Sequence, residues 1–341
     1  MQIGTYIIRR LLLLIPVLLG VSIFVFALTR VAGDPAAVYV TPKMSHDDYL
    51  QLRQTLGLDK DVFTQYGIWL KELLLNGNLG YSKSAELPVS RAIAEFFPAT
   101  FELALWSMLM SIFLGIYLGT VAAIRKDKFI DHITRVVSLA AVSIPVFWLG
   151  LLLSFAFYYQ LGLAPEPVGR WNETVYPVSM IHQYTNIMLI DTVLNWRWDM
   201  FWDAFTHLIL PSVTLAFATI ALIVRMMRSS MLEVLGAEYI RTARMKGASE
   251  KVVIQRHARR NALIPTTTVI GLSFGGLLTG AVLTESIFSW PGLGRWAATA
   301  LLANDQAAIV GFTLFTAVIY VSANLIVDLL YAYLDPRVRL G

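Results

Sequence analysis

Five consecutive residues, Gly271-Leu272-Ser273-Phe274-Gly275, fit the G-x-S-x-G pattern that carries the nucleophilic serine of many hydrolases. That chemistry needs a strand-to-helix turn, whereas this run lies within a stretch apolar enough to cross a membrane. The same glycines, with Gly276 and Gly280, have the small-residue spacing of close helix packing, and a packing face of the span is the better reading. The five histidines, His46, His132, His182, His207 and His257, are scattered, with no pair at metal-ligand spacing. No cysteine is present for a disulfide, a thiolate or a metal. No G-x-x-x-x-G-K-[ST] loop offers a cradle for nucleotide phosphates. Glu285 and Asp328 fall at or within the ends of apolar runs, where an ionisable group is costly. A gate, an interhelical ion pair and a carboxylate at the membrane interface are all open readings for them. Asn172-Glu173-Thr174 matches a glycosylation acceptor, a short and weak signal. With no paired acid and base and no metal constellation, an enzyme is not expected.

The chemistry that does stand out is basic. Glu238 to Pro265 reads EYIRTARMKGASEKVVIQRHARRNALIP and sets Arg241, Arg244, Lys246, Lys251, Arg256, Arg259 and Arg260 against Glu238 and Glu250 alone. The elements that must position this stretch are greasy. Apolar residues make up 57% of the chain and charged residues 15%, with a mean hydropathy of +0.63. Those values lie outside the range of ordinary soluble proteins. The net charge of +4 comes from cations beside apolar runs, the pattern of membrane orientation and not of a nucleic-acid-binding face.

Six spans are expected, in an all-α membrane protein. The first is Leu11 to Thr29, behind Arg9 and Arg10; it is longer than a signal-peptide core and further spans follow, so it is read as uncleaved. The others run about 103–124, 136–160 with a kink at Pro145, 208–224, 263–284 and 307–334. Three regions follow: 1–30 with the first span, a small helical domain over 31–98, and a core over 99–341. In the inserted domain, Ser45 and Asp48 make a capping box for a helix ending near Gly57. Val62, Phe63, Tyr66, Leu70, Leu73 and Leu74 then keep helical spacing up to Asn76-Gly77-Asn78, and Pro88 and Pro98 bracket another short piece. A second long loop covers 161–206.

Six spans place both termini on one side. That side holds seventeen of the 27 cations, including all seven of the basic stretch, and most of the rest lie on or beside the first long loop, where charge weighs little. The termini and residues 229–262 are therefore expected in the cytoplasm of a multi-pass cell-membrane protein, and the two long loops outside. Within the basic stretch, Gly247 suits a left-handed helix end and Ser249 a new start, which predicts two short helices joined at Gly247. Composition alone favours an interfacial pair held by anionic lipid, each cation contributing ~1 kcal/mol. It leaves unexplained the small and polar Thr242, Ala243, Gly247 and Ala248.

The stretch resembles the cytoplasmic coupling loop of permease subunits of ATP-binding-cassette importers, and more narrowly the dipeptide, oligopeptide and nickel permease family. The resemblance is carried by Glu238-Tyr239-Ile240-Arg241-Thr242-Ala243-Arg244, Lys246-Gly247, His257-Ala258, Arg260-Asn261-Ala262 and Pro265. It extends to Arg225–Leu235, Leu283–Arg295, Gly33-Asp34-Pro35, Leu56–Asp59 and Asn78–Ser82, and so to nearly the whole chain. Residues 161–206 and 303–308 agree poorly. The resemblance implies that Glu238, Tyr239, Arg241, Thr242, Ala243, Lys246 and Gly247 contact an ATPase; Ser273, Gly276 and Thr279 on the packing face of the fifth span, with Glu285 at its end, are read as the residues that line or gate the pathway. It implies no cofactor on this chain, with ATP and Mg held by two cytoplasmic ATPase subunits. The other implied partners are a second, homologous permease subunit in a heterodimer, an extracytoplasmic solute-binding protein and membrane lipid. Peptide is the implied cargo, with a nickel complex or an oligosaccharide as alternatives. A gradient-driven secondary transporter is the rival class; it would show internal repeats and mid-membrane ion-site groups, which the sequence lacks.

Overall fold

The computed structural model describes residues 3–31, 36, 40 and 44–334. Gly33-Asp34-Pro35, Arg337 and Arg339 lie outside the described residues, as do the side chains of Arg9, Arg10 and Asp328. The described chain is almost wholly helical. α1 (Ile3–Val31) is followed by α2 (His46–Thr55) and α3 (Val62–Asn76), then by an antiparallel pair of two-residue strands, β1 (Tyr81–Ser82) and β2 (Leu87–Pro88). α4 (Val89–Ile124), α5 (Phe129–Ser143) and α6 (Val146–Leu153) come next, the last continued by a π-helical stretch, Ser154–Gln160. A long connection carries α7 (Met188–Leu194) before α8 (Trp198–Leu235) and α9 (Glu238–Met245). α10 (Glu250–Val252) runs through a π-helical turn, Val253–Ala258, into α11 (Arg259–Gly280); α12 (Val282–Ile287), α13 (Leu293–Leu302) and α14 (Gln306–Leu334) complete the order.

Local signals explain the ends of α2 and α3. Ser45 and Asp48 form the reciprocal capping box ahead of α2, and the Asp61 carboxylate accepts the Phe63 and Thr64 N–H groups ahead of α3. Gly77 ends α3 in the left-handed conformation at φ 59°. Two expectations about proline need correction. Pro98 does not end a separate short piece: α4 runs unbroken through it, from Val89 to Ile124, so the helix of the second span begins well before residue 103. Inside a helical bundle, neighbouring helices make good the backbone hydrogen bond that proline removes. Pro145, in contrast, does far more than kink. Ile144 before it is extended at φ −79°, ψ 125°, and α5 and α6 meet at 110°.

Among the described residues, five helices are long and apolar enough to cross a membrane, and α5 with α6 makes a sixth if the bent pair counts as one span. The helices that carry the fourth and fifth spans run beyond the expected 208–224 and 263–284, since α8 covers 38 residues and crossing-length helix begins at Glu250. The centre of the bundle is α4 against α8. Gly115 and Gly119 of α4 meet Ile223 and Met227 of α8 so closely that a Cβ would stand 2.5 Å and 2.7 Å from those side chains. α11 lies against α8 and α14, and α14 against α1.

Candidate functional site

The basic stretch emerges where α8 ends. At ~1.5 Å per residue its 38 residues reach about 57 Å, well beyond ~30 Å of hydrocarbon, so one end must stand in water. Gly236 and Ala237 turn the chain and α9 begins. Ile240 is fully buried and joins Met227, Met231, Val253, Ala258 and Ala262 in an apolar cluster with Ala123 of α4. That single anchor seats an otherwise polar helix on the bundle, with Ala243 and Ala248 half-buried beside it.

The outward side of α9 carries Glu238, Tyr239, Arg241, Thr242 and Met245, and Lys246 and Gly247 follow, all exposed. Of the seven residues expected to make the contact, six are exposed together on one face of the loop; Ala243 faces inward. Met245, 80% exposed, is a contact candidate that the motif does not mark. The surface is preorganised. The Arg241 guanidinium donates to Glu238 at 2.9 Å, and Thr242 donates to the Glu238 carbonyl. Arg244 donates to Glu250 at 2.7 Å across the Gly247 turn, an ion pair that raises the arginine's pKa further. Asn261 donates to the Tyr239 hydroxyl at 2.9 Å, tying α9 back to α11. Gly247 adopts φ +81°, as expected of a left-handed helix end. The expected second short helix does not stand apart, because residues 250–280 form one helical run into the membrane. Ser249 has the extended backbone of a cap, but its side chain makes no capping hydrogen bond.

A bidentate ion pair underlies this face. Arg228 donates from Nε and Nη2 to Asp131 at 2.6 Å and 2.8 Å, and the Asp127 N–H also donates to that buried carboxylate. The sequence marks Arg228 only as a cation at a span end. Nothing local points to Asp131, 97 residues away.

The four expected pathway residues do not form one cluster. Ser273, Gly276 and Thr279 lie along α11, with Gly276 exposed and clear of any neighbour within 4 Å of its would-be Cβ. Thr279 donates to the Gly275 carbonyl of its own helix. Close packing is carried by Gly275 instead, against Tyr320 and Ala323 of α14. Glu285 is sealed at the opposite end of the bundle, accepting from the Thr100 hydroxyl at 2.7 Å and the Arg295 N–H at 2.9 Å. Nearby, Arg170 pairs with the buried Glu102, which also accepts the Leu189 N–H at 2.8 Å. No group of three metal-capable side chains occurs among the described residues. Asn172 uses its side-chain oxygen to accept from Thr174 and Val175, an ordinary turn role.

Two family models match the chain. One, described as the binding-protein-dependent transport system inner membrane component, covers residues 91–340; the other, the N-terminal part of such membrane components, covers residues 3–104. The dipeptide transport system permease protein of Alkalihalophilus pseudofirmus is 41% identical over 98% of this chain and 99% of its own length. The probable D,D-dipeptide permease of Escherichia coli is 39% identical, over 96% of this chain and 95% of its own. The di/tripeptide permease of Pseudomonas aeruginosa is 42% identical, over 98% of each chain.

Proposed function

This chain belongs to the binding-protein-dependent transport system inner membrane components, and from that premise we propose how it works within an ATP-binding-cassette importer of peptide-like solutes. It is the permease subunit and lines half of the translocation route, paired with a second, similar permease chain. A binding protein delivers solute from outside. Two ATPase subunits hold ATP and Mg in the cytoplasm, and this chain binds no cofactor and catalyses no reaction. Both termini and α9 face the cytoplasm, as the bias of cations toward that side supports.

The observation that carries the reading is the build of α9: one buried isoleucine beneath, and an exposed, preorganised face of charged and small residues above. A short protruding helix of this kind suits helix-in-groove docking. Closure of the ATPases on ATP would draw α9 with them. Because α9 is seated on α8, α4, the π-helical turn Val253–Ala258 and α11 through the Ile240 cluster, its displacement reaches the spans and not merely a loop.

The chain has no cysteine, so Thr242→Cys is a unique cross-linking site. In the assembled complex it should cross-link to an ATPase subunit, in a manner that depends on ATP. Gly247→Val should abolish ATP-driven dipeptide uptake in proteoliposomes while membrane insertion persists. A Cβ there meets nothing within 4 Å, so the effect is backbone strain at positive φ, roughly 1–3 kcal/mol, and not a clash. Absence of any ATPase cross-link from Thr242→Cys, or full uptake by Gly247→Val, would overturn the docking assignment.

A further inference from the structure

α3 carries apolar surface that nothing in the described chain covers. Phe63, Leu74 and Leu75 are 89%, 72% and 70% exposed, and the helix has no buried residue. Phe63 and Leu74, spaced i and i+11, lie on one outward line of the helix, with the half-buried Leu70 between them at i+7. An adjacent side faces α1. There the Tyr66 and Ser22 hydroxyls share a hydrogen bond of 2.8 Å, and the Phe26 ring meets Tyr66 edge-on at 5.3 Å and Trp69 at 5.7 Å.

Those contacts set the depth of α3. Ser22 lies within the first crossing segment, Leu11–Arg30. It is seven residues short of Thr29, where the uncharged run ends, or about 10 Å inside the hydrocarbon at 1.5 Å per residue. A helix whose tyrosine bonds Ser22 cannot float in the water above the headgroups. On the same stretch of α1, Ile23 and Phe24 are likewise uncovered apolar side chains. Behind α3 lies a cavity of about 370 Å³, roomy enough for a headgroup. Phe26, Ile68 and Trp69 line it, with Arg30 and Gln306 at the ends of α1 and α14. That mixture of apolar and charged wall matches the headgroup boundary of a leaflet.

We propose that α3 is an interfacial helix seated in the leaflet at the Arg30 end of α1, with Phe63 and Leu74 against phospholipid acyl chains. The inserted region is thus partly a membrane element and not a wholly aqueous domain. This is independent of the role given to α9.

Spin labels on single-cysteine variants test it. The full complex would carry Phe63→Cys or Leu74→Cys in vesicles of phosphatidylethanolamine and phosphatidylglycerol, with Phe24→Cys on α1 as the lipid reference and Asp47→Cys on α2 as the aqueous one. Retained ATP-driven uptake would show that the labelled complexes are intact. Labels at 63 and 74 should collide with oxygen as the label at 24 does, and several-fold less with a water-soluble nickel chelate than the label at 47. Nickel collisions equal to those at 47 would place α3 in water and overturn the proposal. Low collision with both reagents would mean a protein partner covers the stripe, and would overturn it equally.

Discussion

Glu285 shows how much a single residue organises. A carboxylate sealed from solvent must have its oxygens occupied by donors, and here they come from the Thr100 hydroxyl and from the first turn of α13. That placement also sets the charge at the positive end of a ten-residue helix. Gly292 and Gly294 are what allow it. A Cβ on Gly292 would stand 2.4 Å from a carboxylate oxygen of Glu285, although Gly292 itself has an unstrained φ of −105°. Gly292→Ala should therefore destabilise the protein by a purely steric effect, about 1–3 kcal/mol, read as a lower Tm of the purified complex. Adding Glu285→Asp, which withdraws the carboxyl by one methylene, should recover part of the loss; additive losses in the double variant would refute a direct clash. The motif Leu283–Arg295 is legible in the sequence as a unit. The reason for its glycines is not, because the carboxylate they make room for is completed by Thr100, 185 residues away.

At the scale of elements, helices are where the sequence reads best and their ends where it reads worst. Alternation of apolar runs locates α1, α4, α8, α11 and α14, and the caps at Ser45, Asp61 and Gly77 follow from local chemistry. Pro98 and Pro145 could not be told apart by type: one sits inside a packed helix and the other at a 110° bend, and only the neighbours differ. The α5–α8 junction was equally hidden. Arg228 points inward to Asp131, and this pair pins the start of α5 beneath the end of α8 that supports α9. Arg228→Ala leaves a fully buried carboxylate with only the Asp127 N–H and the more distant, half-exposed Arg135 at 3.8 Å, a loss of about 3 kcal/mol. Asp131→Asn in the same chain should restore much of it, since the amide carries no charge to be left unpaired. Thermal unfolding of both variants checks this, and equal Tm values for Arg228→Ala and wild type would mean the pair holds nothing.

For the whole molecule, the two ends of the bundle are built differently. At the α9 end an apolar cluster seats a helix that must be able to move with a partner. At the other end, buried polar links tie connections that are distant in sequence: Thr100 to Glu285, Glu102 to Arg170, and Ser82 and Ser84 to Asp305. Such links resist separation of the pieces they join, so motion that starts at α9 should reach this end as rigid displacement. Asp305 makes one link titratable. Burial works against its charge, but the Ser84 N–H, the Ser82 hydroxyl, the Ala308 N–H and the Ser84 hydroxyl together outweigh it, holding the carboxyl below the ordinary 3.8. With a folded pKa beneath the unfolded one, the stabilisation is complete above 3.8 and is lost as pH falls through the lower, folded value. Acid should thus loosen the β1–β2 hairpin from α14. Trp296 reports the event, because its indole N–H donates to Ser82 at 3.4 Å. The tryptophan emission of wild type should show an acid transition below that value, and Asp305→Asn should remove it while lowering stability at neutral pH. The same acid transition in Asp305→Asn would assign it to another carboxylate and leave Asp305 without this role.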